Sequence, residues 1–161
     1  MKYLGIYFGT KKVGVANSDD DGRLAFPMMI CPNNKTLMPD IMEIIRSMRI
    51  EVIVIGESLD GSGKPNPVAR LAREFAIDLE NEIGDLHERL AQNKNNSKAS
   101  QLADIKIVFE KEWYSSVEAR RIDGEKNVDD RAAAIILQRY LDRVNGPIDD
   151  INTDEEESDE E

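Results

Sequence analysis

Apolar and polar residues alternate along the first thirty positions in the period of extended chain. Tyr3 to Phe8 reads as a strand that Gly9-Thr10 breaks. Val13 and Val15 then alternate with Gly14 and Ala16 in a second strand, and Leu24 to Ile30 gives a third after the turn signal Asp19-Asp20-Asp21-Gly22. The period then changes. Ile41, Ile44, Ile45 and Met48 recur at helical spacing, with Pro39 near the start. Val52-Ile53-Val54-Ile55 is a continuous β-branched run that suits a strand covered on both faces. Gly56 to Lys64 reads as a glycine-rich loop. Asn66 caps a helix with Pro67 at its first position and Val68, Leu71, Ala72, Phe75 and Leu79 as its buried stripe, prolonged by Ile83, Leu86 and Leu90. The polar stretch Asn93 to Gln101 reads as a mobile linker, and Ile105 to Phe109 as a further buried strand. Ser115 and Glu118 have capping-box spacing and open a short helix. A last helix runs from about Val128 to Arg143 and stops before Gly146-Pro147.

Three antiparallel strands followed by parallel βαβ steps predict an α/β fold, a single mixed five-stranded sheet flanked by helices. A chain of 161 residues suits one domain. We expect that domain over residues 1–146, with 83–104 as a helical extension and polar insertion, and 147–161 as a disordered acidic tail. No stretch reaches the roughly 18 apolar residues of a membrane span. The N-terminus has no signal-peptide pattern, and the lone Cys31 cannot form an internal disulfide. A cytoplasmic protein is expected. The net charge of −11 divides unevenly: Asp149 to Glu161 holds nine acidic residues and no basic one, which leaves −2 for residues 1–148. Bulk charge therefore neither predicts nor excludes nucleic-acid binding, and any basic surface must be local.

Asp129 is the most informative carboxylate. In the first turn of the last helix it shares a face with Ala133, Ile136 and Tyr140, so a charge heads an apolar stripe and needs a partner. The plainer role is to complement the helix dipole. Glu112 follows the Ile105–Phe109 strand, where ligands of open α/β sheets lie; as part of the run Glu110-Lys111-Glu112 it also reads as solvated surface. Two glycines flank the strand and turn Gly5 to Gly14, with Lys11 and Lys12 placed to neutralise phosphate; spacing alone favours an ordinary hairpin. Asp60 to Lys64 lacks the Walker A spacing and reads as a loop. His87 reads as plain surface. Trp113 and Tyr114 read as core before they read as a stacking platform.

Taken together, the segments resemble the YqgF/RuvX family of Holliday-junction-resolvase-like proteins, also described as nucleases of small-subunit ribosomal RNA precursors. The family's opening leucine-glycine-x-aspartate-x-glycine-threonine-lysine run looks like Leu4 to Ala16. Its glycine-rich loop resembles Gly56 to Ser62, two residues shorter here. Its aspartate-glutamate-arginine signature with two small hydroxyl residues falls on Lys111 to Ala119, and its closing aspartate before paired alanines on Asp129 to Leu141. The resemblance spans about residues 3–143 and implies a ribonuclease H-like fold, magnesium or manganese as cofactor, and structured RNA or branched DNA as partner. It implies Glu112 and Asp129 as catalytic metal ligands, Asp60 as a further candidate, and Lys11, Lys12, Ser115 and Ser116 as nucleic-acid contacts.

The departures bear on activity. Tyr7 stands where the family carries its first-strand aspartate, and Lys111 and Trp113 replace the aspartate and arginine of the central signature. Two-metal nucleases hold cations with carboxylates, and a phenol with a reference pKa near 10 is a neutral, poor ligand for a hard cation. Lys111 beside Glu112 is expected to discourage cations further. Two functions compete: a metal-dependent nuclease with impaired catalysis, and an inactive relative that binds nucleic acid or protein. An actin-like phosphotransferase would need a second such domain to close over a nucleotide. The acidic tail is either a solubilising extension or an occupant of a basic groove in the protein's own body. Oligomeric state is not legible.

Overall fold

A computed structural model describes residues 1–59, 62, 64, 66–92, 96–113 and 128–146, with the backbone alone at 58, 59, 96–98, 112, 113, 128 and 129. The elements are β1 (Tyr3–Phe8), β2 (Lys12–Ser18), β3 (Ala25–Pro32), α1 (Leu37–Ser47), β4 (Val52–Leu59), α2 (Pro67–Gln92), α3 (Asn96–Ala103), β5 (Lys106–Trp113) and α4 (Val128–Asn145). The strands form one five-stranded sheet in the order β3-β2-β1-β4-β5. β1 pairs antiparallel with β2, β2 antiparallel with β3, and β1, β4 and β5 run parallel. This is the single mixed five-stranded sheet that the residue pattern predicts. The capping-box segment from Ser115 lies outside the described residues.

Strand alternation splits the core in two. Leu4, Ile6, Phe8, Val13, Val15, Ile53 and Ile55 face α1 and α2, whose Ile41, Ile45, Phe75 and Leu79 complete that layer. Phe8 and Phe75 rings lie 5.3 Å apart across it. The opposite face, with Ala16, Val52 and Val54, takes α4 through Ala133, Ile136, Leu137 and Leu141. Here the sheet is bare at two points. A Cβ on Gly5 would lie 2.8 Å from Leu137 Cβ and 3.0 Å from the Ala133 carbonyl oxygen, and one on Gly56 would lie 2.4 Å from Ile136 Cδ1. The helix therefore rests on strand backbone, closer than facing side chains would permit.

Local signals act as expected at α2, where the Asn66 side-chain oxygen accepts the Ala69 N–H at 2.9 Å and Pro67 opens the helix. Leu71 departs from its expected stripe and is exposed, while Ala69 and Ala76 are buried. Small residues let α2 lie close to the sheet, a property that a hydrophobicity pattern undervalues. The expected linker is also corrected from residue 96 onward, where the chain forms α3. Ala99 and Leu102 are buried against α2, and His87, expected as plain surface, is half-buried and donates from Nδ1 to the Ala99 carbonyl at 2.7 Å. β3 is an edge strand with a bulge: Pro27 pairs with Ala16 and Met29 with Val15, leaving Met28 between them, and Phe26 and Met29 are exposed.

Gly5→Ala is expected to destabilise the fold by about 1–3 kcal/mol, since backbone and a Cβ on α4 block the new methyl and the helix must lift. Urea unfolding of the two proteins measures this. An unchanged midpoint would show that α4 is not seated on β1.

Candidate nucleic-acid and metal site

The carboxyl ends of β1, β4 and β5 share one end of the sheet because the three strands are parallel. Tyr7 lies there on the α4 face of β1, paired with Gly14 of β2 and half-buried against the α4 core layer. Between β4 and β5, Gly56 pairs with Glu110 and Ser58 with Glu112, and alternation puts positions 108, 110 and 112 on that same face. α4 runs down from this end. The Gln138 side chain accepts the Ala25 N–H at 2.9 Å and donates to the Arg23 carbonyl at 2.9 Å, and Asn145 donates to the Gly22 carbonyl at 2.9 Å, all at the amino end of β1. Ala133 touches Gly5. Position 129 lies four residues, about 6 Å, above Ala133. Tyr7 lies two residues, about 6.6 Å, above Gly5. The backbone thus juxtaposes positions 7, 112 and 129 on one face at one end of the sheet.

The side chains of Glu112 and Asp129 lie outside the described residues, as do Asp60, Ser115 and Ser116 altogether. Lys11 and Lys12 are exposed on the connection from β1 to β2, at the same end of the sheet. That connection is tied down. Asn33 donates its backbone N–H to the Lys11 carbonyl at 2.9 Å and its Nδ2 to the Gly9 carbonyl at 2.8 Å. A Cβ on Gly9 would lie 2.5 Å from the Lys12 carbonyl oxygen, so the tight hairpin itself requires glycine. Among the described residues no three His, Cys, Asp or Glu side chains group as a metal site.

Two carboxylates depart from expectation. Glu110, part of a run that reads as solvated surface, is buried on the α4 face. Arg143 meets it twice, Nη1 donating to Oε1 at 3.1 Å and Nη2 lying 2.6 Å from Oε2 in an ion pair poorly aligned for a hydrogen bond. Glu57 is buried on the other face and pairs with Arg73 of α2, whose guanidinium lies 5.9 Å from the Phe109 ring centre. Had β5 been extended past Phe109, the shared parity of Val108 and Glu110 would have signalled the first. Lys111 is exposed, and alternation puts it on the face opposite position 112. Its charge therefore does not stand beside Glu112 on the site face, which weakens its expected effect on cations.

A family profile described as "RuvX: Holliday junction resolvase" matches residues 1–143. The chain belongs to the RuvX family. Among RuvX relatives, one from Maridesulfovibrio salexigens is 34% identical over 146 residues, covering 89% of this chain and 100% of its own. One from Nocardia farcinica is 36% identical, covering 86% of this chain and 76% of its own. Both bear the name "Putative pre-16S rRNA nuclease". Among solved structures, Thermus thermophilus RuvC in complex with a Holliday junction substrate matches at 13% identity and a TM-score of 0.45, over 91% of this chain and 96% of its own. No helix among the described residues is long and apolar enough to cross a membrane.

Arg143→Met is expected to cost about 1–3 kcal/mol in chemical denaturation, because it leaves a buried carboxylate without its partner. Adding Glu110→Gln should recover part of that loss. If the double variant is no more stable than the single one, the ion pair is not what holds the end of α4 to β5.

Proposed function

We propose that this RuvX-family chain binds structured nucleic acid in the cytoplasm, an rRNA precursor or a branched DNA, with phosphodiester hydrolysis impaired at Tyr7. The observation that carries the proposal is the place of Tyr7: the α4 face of β1, at the carboxyl end, level with the first turn of α4. The names of the relatives favour the rRNA precursor as substrate class.

A first-strand carboxylate at this position would stand near positions 112 and 129 of the backbone. A phenol in its place removes one negative charge and one hard oxygen donor. The remaining set, Glu112 and Asp129 with Asp60 as a further candidate, does not fit a two-metal centre, and we derive no step through a bound ion. Magnesium or manganese, when held, supplies an activated water and charge stabilisation on the phosphate. The chain's own part is binding: Lys11 and Lys12, presented by the pinned hairpin, contact the phosphate backbone, and Ser115 and Ser116 donate to it.

Manganese- and magnesium-dependent cleavage of a structured rRNA precursor and a four-way DNA junction tests the reading, with Tyr7→Asp beside the natural protein. Weak cleavage by the natural protein, abolished by Asp129→Asn and raised in Tyr7→Asp, is the expected result. No cleavage until Tyr7 is replaced would favour an inactive binder of the same substrates. Full activity in the natural protein, unchanged in Tyr7→Asp, would overturn the proposal. Lys11→Ala with Lys12→Ala should weaken binding and flatten the dependence of log affinity on log salt by about one for each phosphate no longer neutralised.

A further inference from the structure

Behind the sheet, on the face opposite α4, α1, α2 and α3 wall a groove of about 910 Å³. Its apolar lining includes Met38 and Met42 of α1 and Leu86 and Leu90 of α2. Its charged lining sets Arg46, Arg49 and Arg89 against Glu43 and Glu82. Among the described residues none of the three arginines has an ion-pair partner.

The backbone at the mouth of the groove adds a further feature. Arg49 has φ 54°, in the left-handed region just past the end of α1, where the Ile50 N–H returns to the Ile45 carbonyl at 3.1 Å. Glycine fills such a position without strain. A long cation held there at the mouth of a groove is a strained choice that points to use. The groove thus offers an apolar floor and three arginines that have no ion-pair partner among the described residues. The complement of the three cations is an acidic segment.

The chain contains such a segment. Asp154 to Glu161 holds seven acidic residues and one serine. The end of α4 and the arginine end of the groove lie at the same end of the sheet. Asn145 bonds the Gly22 carbonyl, the Met1 ammonium donates to the Asp20 carbonyl, and the Lys2 carbonyl accepts the Glu51 N–H next to Ile50. From Gly146 the chain reaches at most about 27 Å by Asp154 and about 50 Å by Glu161, enough for the acidic run to pass round the sheet edge from one face to the other.

We propose that residues 147–161 dock in the groove between α1, α2 and α3 of their own chain. Residues 147–153 carry the chain round the sheet edge, and the acidic run Asp154 to Glu161 pairs with Arg46, Arg49 and Arg89 at the groove. The docking does not depend on whether the carboxyl end of the sheet hydrolyses its substrate.

The test uses the full chain carrying Ser158→Cys with a nitroxide label and methyl-labelled methionine. Cys31, at 3% exposure, does not compete for the label. At low salt the Met38 and Met42 methyl signals vanish through paramagnetic broadening. They return in about 1 M sodium chloride, where the screening length falls to about 3 Å. They also return in the variant Arg46→Gln, Arg49→Gly, Arg89→Gln, whose glycine relieves the backbone at 49. If that variant fails to fold, the salt series on the natural arginines decides alone. Sharp signals at low salt overturn the proposal and leave the groove to another partner. Broadening that persists at high salt overturns the pairing with arginine. Broadening in a mixture of nitroxide-bearing and methyl-labelled chains, as strong as within one chain, overturns the intramolecular arrangement in favour of a second copy.

Discussion

The seat of α4 on bare strand backbone is the constraint on which the site depends. Gly5 and Gly56, on neighbouring parallel strands, leave no side chain between sheet and helix, so Leu137 and Ile136 sink to the backbone itself. That depth sets the height of every α4 residue above the sheet. It carries the first turn of the helix to the carboxyl end of β1, and it brings Tyr7 under that turn. A helix held one side chain higher would separate positions 7 and 129, whatever residues stood there. The arrangement of the backbone at this end of the molecule is thus an outcome of packing in its middle.

Two buried carboxylates steady the same end from opposite faces. Glu57 is held from α2 and Glu110 from α4, each by an arginine that keeps part of its own side chain in solvent. Neither pair adds much net stability, because burying a carboxylate offsets most of its attraction to the partner. Their effect is on register. Glu57 and Glu110 occupy adjacent strands one residue apart, since Glu110 pairs with Gly56. Helices on both faces are thereby tied to the parts of β4 and β5 that outlast their apolar runs, where the glycine-rich loop and position 112 begin.

Much of this is legible in the sequence, and the limits have physical causes. The apolar runs of β1, β4 and β5 and the Asn66-Pro67 start of α2 are local signals, and the structure follows them. Strand ends escape the pattern where charge interrupts it: β4 continues through Glu57 and β5 through Glu110, because distant arginines make those carboxylates tolerable inside. α3 is hidden for a related reason, its polar residues masking the few, Ala99 and Leu102, that pack on α2. The gathering of positions 7, 112 and 129 follows from chain order and strand alternation once the helix is seated. The exposure of Lys111 on the opposite face needs only the same alternation, carried past the apolar run.

The bulge in β3 has a consequence for how the protein behaves in a crowd. An edge strand is an invitation to any unfolded or partly folded neighbour with a matching row of amides, and exposed Phe26 and Met29 would strengthen that invitation. Pro27 and Pro32 supply no amide hydrogen, and Met28 breaks the spacing of the remainder. A neighbouring strand would find grease but no continuous ladder to zip along. Aggregation by sheet extension is resisted at this border by covalent structure alone, without help from surface charge.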